Sequence, residues 1–141
     1  TQGWKNVGWK LGVDYKFTPD VMLYGYWARG FKSGGYTGRL SVASDLGPYD
    51  PEYVDTFEIG VKADLFNRRV RANLTGFYTN YRDMQLSQIY FITTAEGSQT
   101  VGSTILNAAS SEIKGIEAEL TVVPFDGFTI FATGAYLDAK Y

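Results

Sequence analysis

From Val7 to Phe17 every second residue is apolar. Val7, Trp9, Leu11, Val13, Tyr15 and Phe17 alternate with Gly8, Lys10, Gly12, Asp14 and Lys16. Period-two alternation of this length predicts a strand with one apolar face. Thr18-Pro19-Asp20 predicts a tight turn, because Pro presets φ and Asp bonds its own backbone. A second strand follows over Val21 to Gly30, apolar in both registers. A two-residue turn at Pro19-Asp20 would pair Phe17 with Met22 and Tyr15 with Tyr24. That phase puts Met22, Tyr24, Tyr26 and Ala28 on the apolar face. Residues 31–52, punctuated by Gly, Ser, Asp and Pro, predict a long loop.

Four more strands are predicted. The third sets Phe57, Ile59, Val61, Ala63 and Leu65 against Glu58, Gly60, Lys62 and Asp64. A turn at Asn67-Arg68 leads to the fourth, with Val70, Ala72, Leu74, Gly76 and Tyr78 against Arg71, Asn73, Thr75, Phe77 and Thr79. Partners in this hairpin then add to 135, so that Phe57 faces Tyr78 and Asp64 faces Arg71. A second long loop is expected over roughly residues 87–104. The fifth strand carries Ile116, Ala118, Leu120 and Val122, and Pro124 to Gly127 turns the chain. The sixth carries Phe128, Ile130, Ala132, Gly134 and Tyr136.

The connections alternate, short near 19, 67 and 125 and long between. Three apolar faces, 57–65, 70–78 and 128–136, each run nine residues, against the roughly 9–11 that a tilted membrane strand needs. Aromatics cap those faces: Phe17, Phe128 and the sulfur-bearing Met22 by the short turns, Phe57, Tyr78 and Tyr136 at the far ends. Short turns on one side, long loops on the other and aromatic girdles between them characterise transmembrane β-barrels. A soluble β-sandwich would share the alternation, but not a reason for loop lengths to alternate.

Composition narrows the chemistry. The chain has 141 residues, which is at most one domain. With 13 basic and 15 acidic residues the net charge is −2, so no nucleic-acid partner is expected. Cys and His are both absent, which removes disulfides, Cys/His metal centres, Ser-His-Asp triads and thiol nucleophiles. No apolar run approaches the ~18 residues of a membrane helix. Thr1 to Lys5 does not read as a leader peptide.

Several segments resemble TonB-dependent outer-membrane receptors. Gly30-Phe31-Lys32-Ser33-Gly34-Gly35-Tyr36 resembles a loop entry of that family. Tyr49-Asp50-Pro51-Glu52, running on to Phe57-Glu58-Ile59-Gly60-Val61-Lys62, is similar to its "PE…E-x-G-x-K" strand start. Phe77 to Gln85 resembles "FYTxYxDxQ", and Asn107-Ala108 with Lys114 to Glu119 resembles "NA…KGxExE". Tyr136 to Tyr141 fits the outer end of a further strand. The resemblance implies an all-β antiparallel meander of about six strands, from a plugged barrel of about 22. Residues 1–141 would then be part of that barrel, with the plug and the remaining strands outside this sequence. It implies a non-enzymatic importer in the outer membrane of a Gram-negative bacterium, embedded in lipid. Such an importer takes up a scarce large solute (a ferric siderophore, cobalamin or an oligosaccharide) on energy supplied through TonB, and no cofactor is implied. A passive porin-like or adhesin-like barrel and a soluble carbohydrate-binding β-sandwich remain as other readings.

The candidate residues fall into two groups. Lys32, Tyr36, Arg39, Tyr49 and Asp50 in the first long loop could meet an anionic or catecholate-type ligand through cation–π contacts and hydrogen bonds. Asp83 and Gln85 sit where the fourth strand emerges. Glu58, Lys62, Asp64, Arg71, Glu117 and Glu119 lie on polar strand faces and are expected to line a lumen. Glu117 and Glu119 have glycosidase-like spacing, but no cleft is evident around them. Asp64 and Arg71 are expected to form a cross-strand ion pair.

Overall fold

A computed structural model describes residues 2–37, 47–93 and 96–141. Its strands are β1 (Trp9–Thr18), β2 (Val21–Lys32), β3 (Gly35–Tyr36), β4 (Pro48–Tyr49), β5 (Glu52–Leu65), β6 (Val70–Thr93), β7 (Gln99–Phe125) and β8 (Phe128–Lys140). Six of them form one antiparallel meander in the order β1-β2-β5-β6-β7-β8. The two-residue strands β3 and β4 pair with each other and bracket the first loop.

The β5–β6 hairpin has the register expected from the pattern. Phe57 pairs with Tyr78, Val61 with Leu74 and Asp64 with Arg71. Its turn, 66–69, holds Phe66, Asn67 and Arg68 at φ of 54°, 56° and 65°. Asn tolerates this left-handed region; Phe and Arg do so at a cost.

The phase expected for β2 is overturned. Lys16 pairs with Met22 and Thr18 with Val21, so Phe17 is left over as a bulge. One extra residue moves every side chain beyond it to the other face. Leu23, Gly25 and Trp27 therefore share the face of Leu11, Val13 and Tyr15, while Met22, Tyr24, Tyr26 and Ala28 lie on the polar face. The chemistry agrees, because a tyrosine hydroxyl in hydrocarbon would lack a partner. Met22 accordingly leaves the short-turn girdle.

The second expected loop is mostly strand. Pairs from Gln85↔Asn107 to Thr93↔Gln99 continue the β6–β7 ladder into a ribbon. Ile89, Tyr90, Phe91, Val101 and Ile105 are β-formers, and no Pro interrupts them. Two irregularities interrupt the ladder, between Tyr81 and Met84 and between Met84 and Gln85. The first places an extra residue on β6 and the second one on β7. Partner numbers add to 192 both below and above this joint.

Among the described residues nothing covers the apolar face of the meander. Among the described residues no hydrophobic side chain is buried, and Ile59 is 70% exposed. Rings run across its upper end: Trp9–Trp27 at 4.3 Å, Trp27–Phe57 at 5.3 Å and Phe57–Tyr78 at 6.5 Å. At the lower end Phe125 stacks on Phe128 at 5.2 Å. The upper row of rings and the lower Phe125–Phe128 pair mark the two ends of apolar faces about nine residues long, a band of membrane thickness. Expressed alone and without detergent, residues 1–141 should aggregate, because that face and the open edges of β1 and β8 seek partners. Size-exclusion chromatography checks this; a monodisperse, cooperatively melting monomer in water would contradict a lipid-facing band.

Candidate functional site

The opposite face is mostly polar, with Phe77 and Phe131 as large apolar exceptions. Tyr24 and Tyr26, two apart on β2, project the same way toward Glu58 on β5. Tyr24 donates to Glu58 Oε1 at 3.0 Å and Tyr26 to Oε2 at 2.6 Å. The Tyr24 hydroxyl also lies 2.8 Å from Thr75 Oγ1, so that β2, β5 and β6 are tied by one cluster. Tyr24 lies over Gly60, its ladder partner, where an added Cβ would fall 2.5 Å from the ring. Lys10 sits 3.5 Å above the Tyr26 ring and Lys62 is 5.3 Å from that of Tyr24, both as cation–π contacts. Asn73 donates to Glu119 at 3.0 Å. Tyr24, Glu58, Lys62, Asn73, Glu117 and Glu119 line a shallow hollow of about 250 Å³. Three carboxylates against one ammonium make it acidic.

Of the candidates for the lumen, Glu58, Lys62, Glu117 and Glu119 therefore converge. Asp64 and Arg71 lie nearer the short turn, where they share a second hollow with Lys62 and Asn73. There the guanidinium meets the carboxylate in two bonds, of 2.7 and 3.1 Å. Glu117 and Glu119 both line the hollow, with Thr75 as the ladder partner of Glu117.

Above the upper belt the face that carries the rings turns polar at once. Asp55, two residues beyond Phe57, is 7% exposed. Arg29 grips it in two bonds of 2.7 and 2.9 Å, and Arg82 adds a third of 2.7 Å. The arginines hold the Asp55 carboxyl below the usual carboxylate range. Sequence reading missed this triad. Its members are spread over 53 positions and meet only through the register of β2, β5 and β6.

The loop candidates divide. Tyr36 makes an edge contact with Trp4, centroids 6.0 Å apart, and its hydroxyl reaches Gln2 at 3.3 Å. The Tyr49 ring closes over Gly35. Lys32 pairs in the ladder with Glu52. Arg39 lies outside the described residues. Asp50, Asp83 and Gln85 come together at the joint, where Gln85 donates to the carbonyls of Ser33 and Asp50 at 2.9 and 3.0 Å. Asn107 completes the group, although its spacing from the others had given no sign of it.

An open antiparallel meander with a lipid-facing band, a polar inner face and long connections at one end is the wall of an outer-membrane β-barrel. The family model described as "TonB dependent receptor-like, beta-barrel" matches residues 1–141, and the chain belongs to that family. Proteins of this family reside in the outer membrane of Gram-negative bacteria. Among curated relatives, the metal-pseudopaline receptor CntO of Pseudomonas aeruginosa is 32% identical over 75 residues, which is 53% of this chain and 10% of that protein. Among solved structures, the ferric yersiniabactin uptake receptor FyuA of Yersinia pestis superposes with a TM-score of 0.74 at 24% identity, over 93% of this chain and 18% of that one. The siderophore receptor PirA of P. aeruginosa gives 0.71 at 16% identity, over 95% and 28%. The copper transporter OprC gives 0.66 at 14%, over 93% and 20%. At these identities the structural likeness speaks for the fold. The chain spans about a tenth of that curated relative's length.

Proposed function

We propose that this chain is part of the wall and outer mouth of an active importer, and that its cargo is a metal chelate of siderophore type. The observation that carries the reading is the sheet's two-sidedness, belted for lipid on one face and hydroxyl- and carboxylate-lined on the other. The ligands that FyuA, PirA and CntO are named for support a chelated metal as cargo. Residues 1–141 are one portion of the barrel; a plug and the other strands belong to the rest of the protein. Glu58, Glu117 and Glu119 face the lumen, where carboxylates meet cationic or hydroxyl-bearing groups of whatever fills it. Lys32, Tyr36, Tyr49 and Arg39 belong to the outer loop that would first meet the ligand, with Asp50, Asp83 and Gln85 at its base. The wall does no covalent chemistry.

The test is uptake by a deletion strain complemented with the full-length gene. Iron-starved cells are given ⁵⁵Fe-loaded catecholate, hydroxamate and mixed-type siderophores in turn. Accumulation of at least one should depend on the gene and stop when a protonophore collapses the energy supply. Gene-dependent uptake that persists under the protonophore would favour a passive pore instead.

A further inference from the structure

Four residues far apart in the chain, Ser33, Asp50, Gln85 and Asn107, meet at the joint between wall and ribbon. The local cause is the pair of compensating irregularities in the β6–β7 ladder. Asp83 takes a left-handed conformation there, φ 55°, which swings its carbonyl out of the ladder. Asn107 Nδ2 donates to that carbonyl at 2.7 Å and to the Asp50 carbonyl at 2.8 Å. Its Oδ1 accepts the Asp50 N–H at 2.7 Å. The Asn107 amide thus gives Asp50 a donor and an acceptor, as a neighbouring strand would. The Gln85 N–H donates to Glu52 Oε2 at 2.9 Å, and the Gln85 side chain spans the carbonyls of Ser33 and Asp50. The Asp50 end of the first loop is therefore fastened to the ribbon's base by both amides and the Ser33 end by Gln85, whose side chain links the two ends.

We infer that Gln85 and Asn107 are positioning residues for ligand capture: they clamp the two ends of the β2–β5 connection, 33–37 and 47–52, to the β6–β7 ribbon so that these ends and the ribbon's base move together. The inference rests on the importer reading, in which these outer elements meet the ligand. Backbone groups at a loop base can take water instead, so the clamp is reversible. Opening it frees loop and ribbon together, because Asp50 is bound by both amides.

Amide hydrogen exchange on the full-length receptor in detergent micelles tests this without any ligand. In Asn107→Ala, peptides covering 33–37 and 47–52 should exchange about tenfold faster, as expected when a local opening equilibrium shifts. Peptides covering 57–65 and 70–78 should exchange as in the wild type. Gln85→Ala should loosen the same loop peptides. The near-isosteric variants Asn107→Asp and Gln85→Glu keep the side-chain size but lose the NH₂ donors, and they should not restore protection. Unchanged loop exchange, equal acceleration of the wall strands, or full protection in the near-isosteric variants would each overturn the clamp. Uptake of the same ⁵⁵Fe-loaded siderophores is measured in parallel. A clamp variant should raise the half-saturation concentration several-fold and leave the maximal rate near the wild type, because capture and not passage is impaired. If the wild type imports no probe, the importer reading fails, while the exchange data still decide the clamp.

Discussion

Arginine at Leu74 or Ile130 should sharply reduce barrel assembly, whereas arginine at Thr75 or Thr133 should be better tolerated. Leu74 and Ile130 lie on the belted face, and Leu74 is 50% exposed where hydrocarbon would lie. A cation at the bilayer midplane of a barrel wall costs about 2–4 kcal/mol. Thr75 and Thr133 lie on the inner face, opposite Glu117 and Glu119 respectively in the ladders. On the importer reading, those carboxylates and lumenal water can solvate a guanidinium. Thr75→Arg also removes the Tyr24 contact, so a modest loss is expected there and less at Thr133. The measurement is the heat-modifiable, folded fraction of full-length receptor in purified outer membranes. Equal assembly of all four variants would mean that neither face meets lipid; the reverse order would turn the sheet inside out.

Asp55→Asn should destabilise the upper rim more than Asp64→Asn destabilises the lower one. Removing one partner of a buried ion pair costs about 3–5 kcal/mol. Here Arg29 and Arg82 are 34% and 47% exposed and can turn to water, so about 1–3 kcal/mol is expected. The Asp64–Arg71 pair is wetter, with Arg71 62% exposed, and should contribute less than the Asp55 triad. Thermal unfolding of the purified receptor, read by loss of heat-modifiable mobility, ranks the two. The pH response follows from the Asp55 carboxyl, held low by Arg29 first. A depressed carboxylate stabilises the fold fully above the ordinary carboxylate range. That share is lost as pH falls through the lowered folded value. Wild-type stability should therefore fall with acid below about pH 4, and this share of the slope should be missing in Asp55→Asn.

Much of the wall was legible because its physics is local and periodic. Faces 57–65 and 70–78 alternate with Phe77 as the one large apolar residue out of phase, and a short turn between them fixes their register. The polar placement of Glu58, Lys62, Glu117 and Glu119 follows from the same parity. The β2 phase failed because both of its faces are apolar by composition, which left the turn to decide. A single bulged residue, Phe17, then reversed the outcome. The ribbon is hidden in the sequence because its Gly, Ser and Thr content resembles turn chemistry, while its pairing is with the following strand, at separations that run from six residues at the tip to 22 at the base. The Arg29–Asp55–Arg82 triad and the Asn107 clamp depend on which residues the register sets side by side. No spacing within one segment encodes that.

The paired irregularities at the joint have a consequence for how such a protein can change. Below them, a single inserted or deleted residue in β6 or β7 would exchange lipid-facing and lumen-facing side chains along the strand. Above them lies only the ribbon. A one-residue indel there rewrites the faces of the ribbon while the belts, Asp55 and the inner carboxylates keep their places. Sequence diversification at the mouth is thus uncoupled from compatibility with the bilayer. New outer surfaces can be sampled by length changes above residue 85 on one strand and before residue 107 on the other, without reopening the question of which side of the wall is wet.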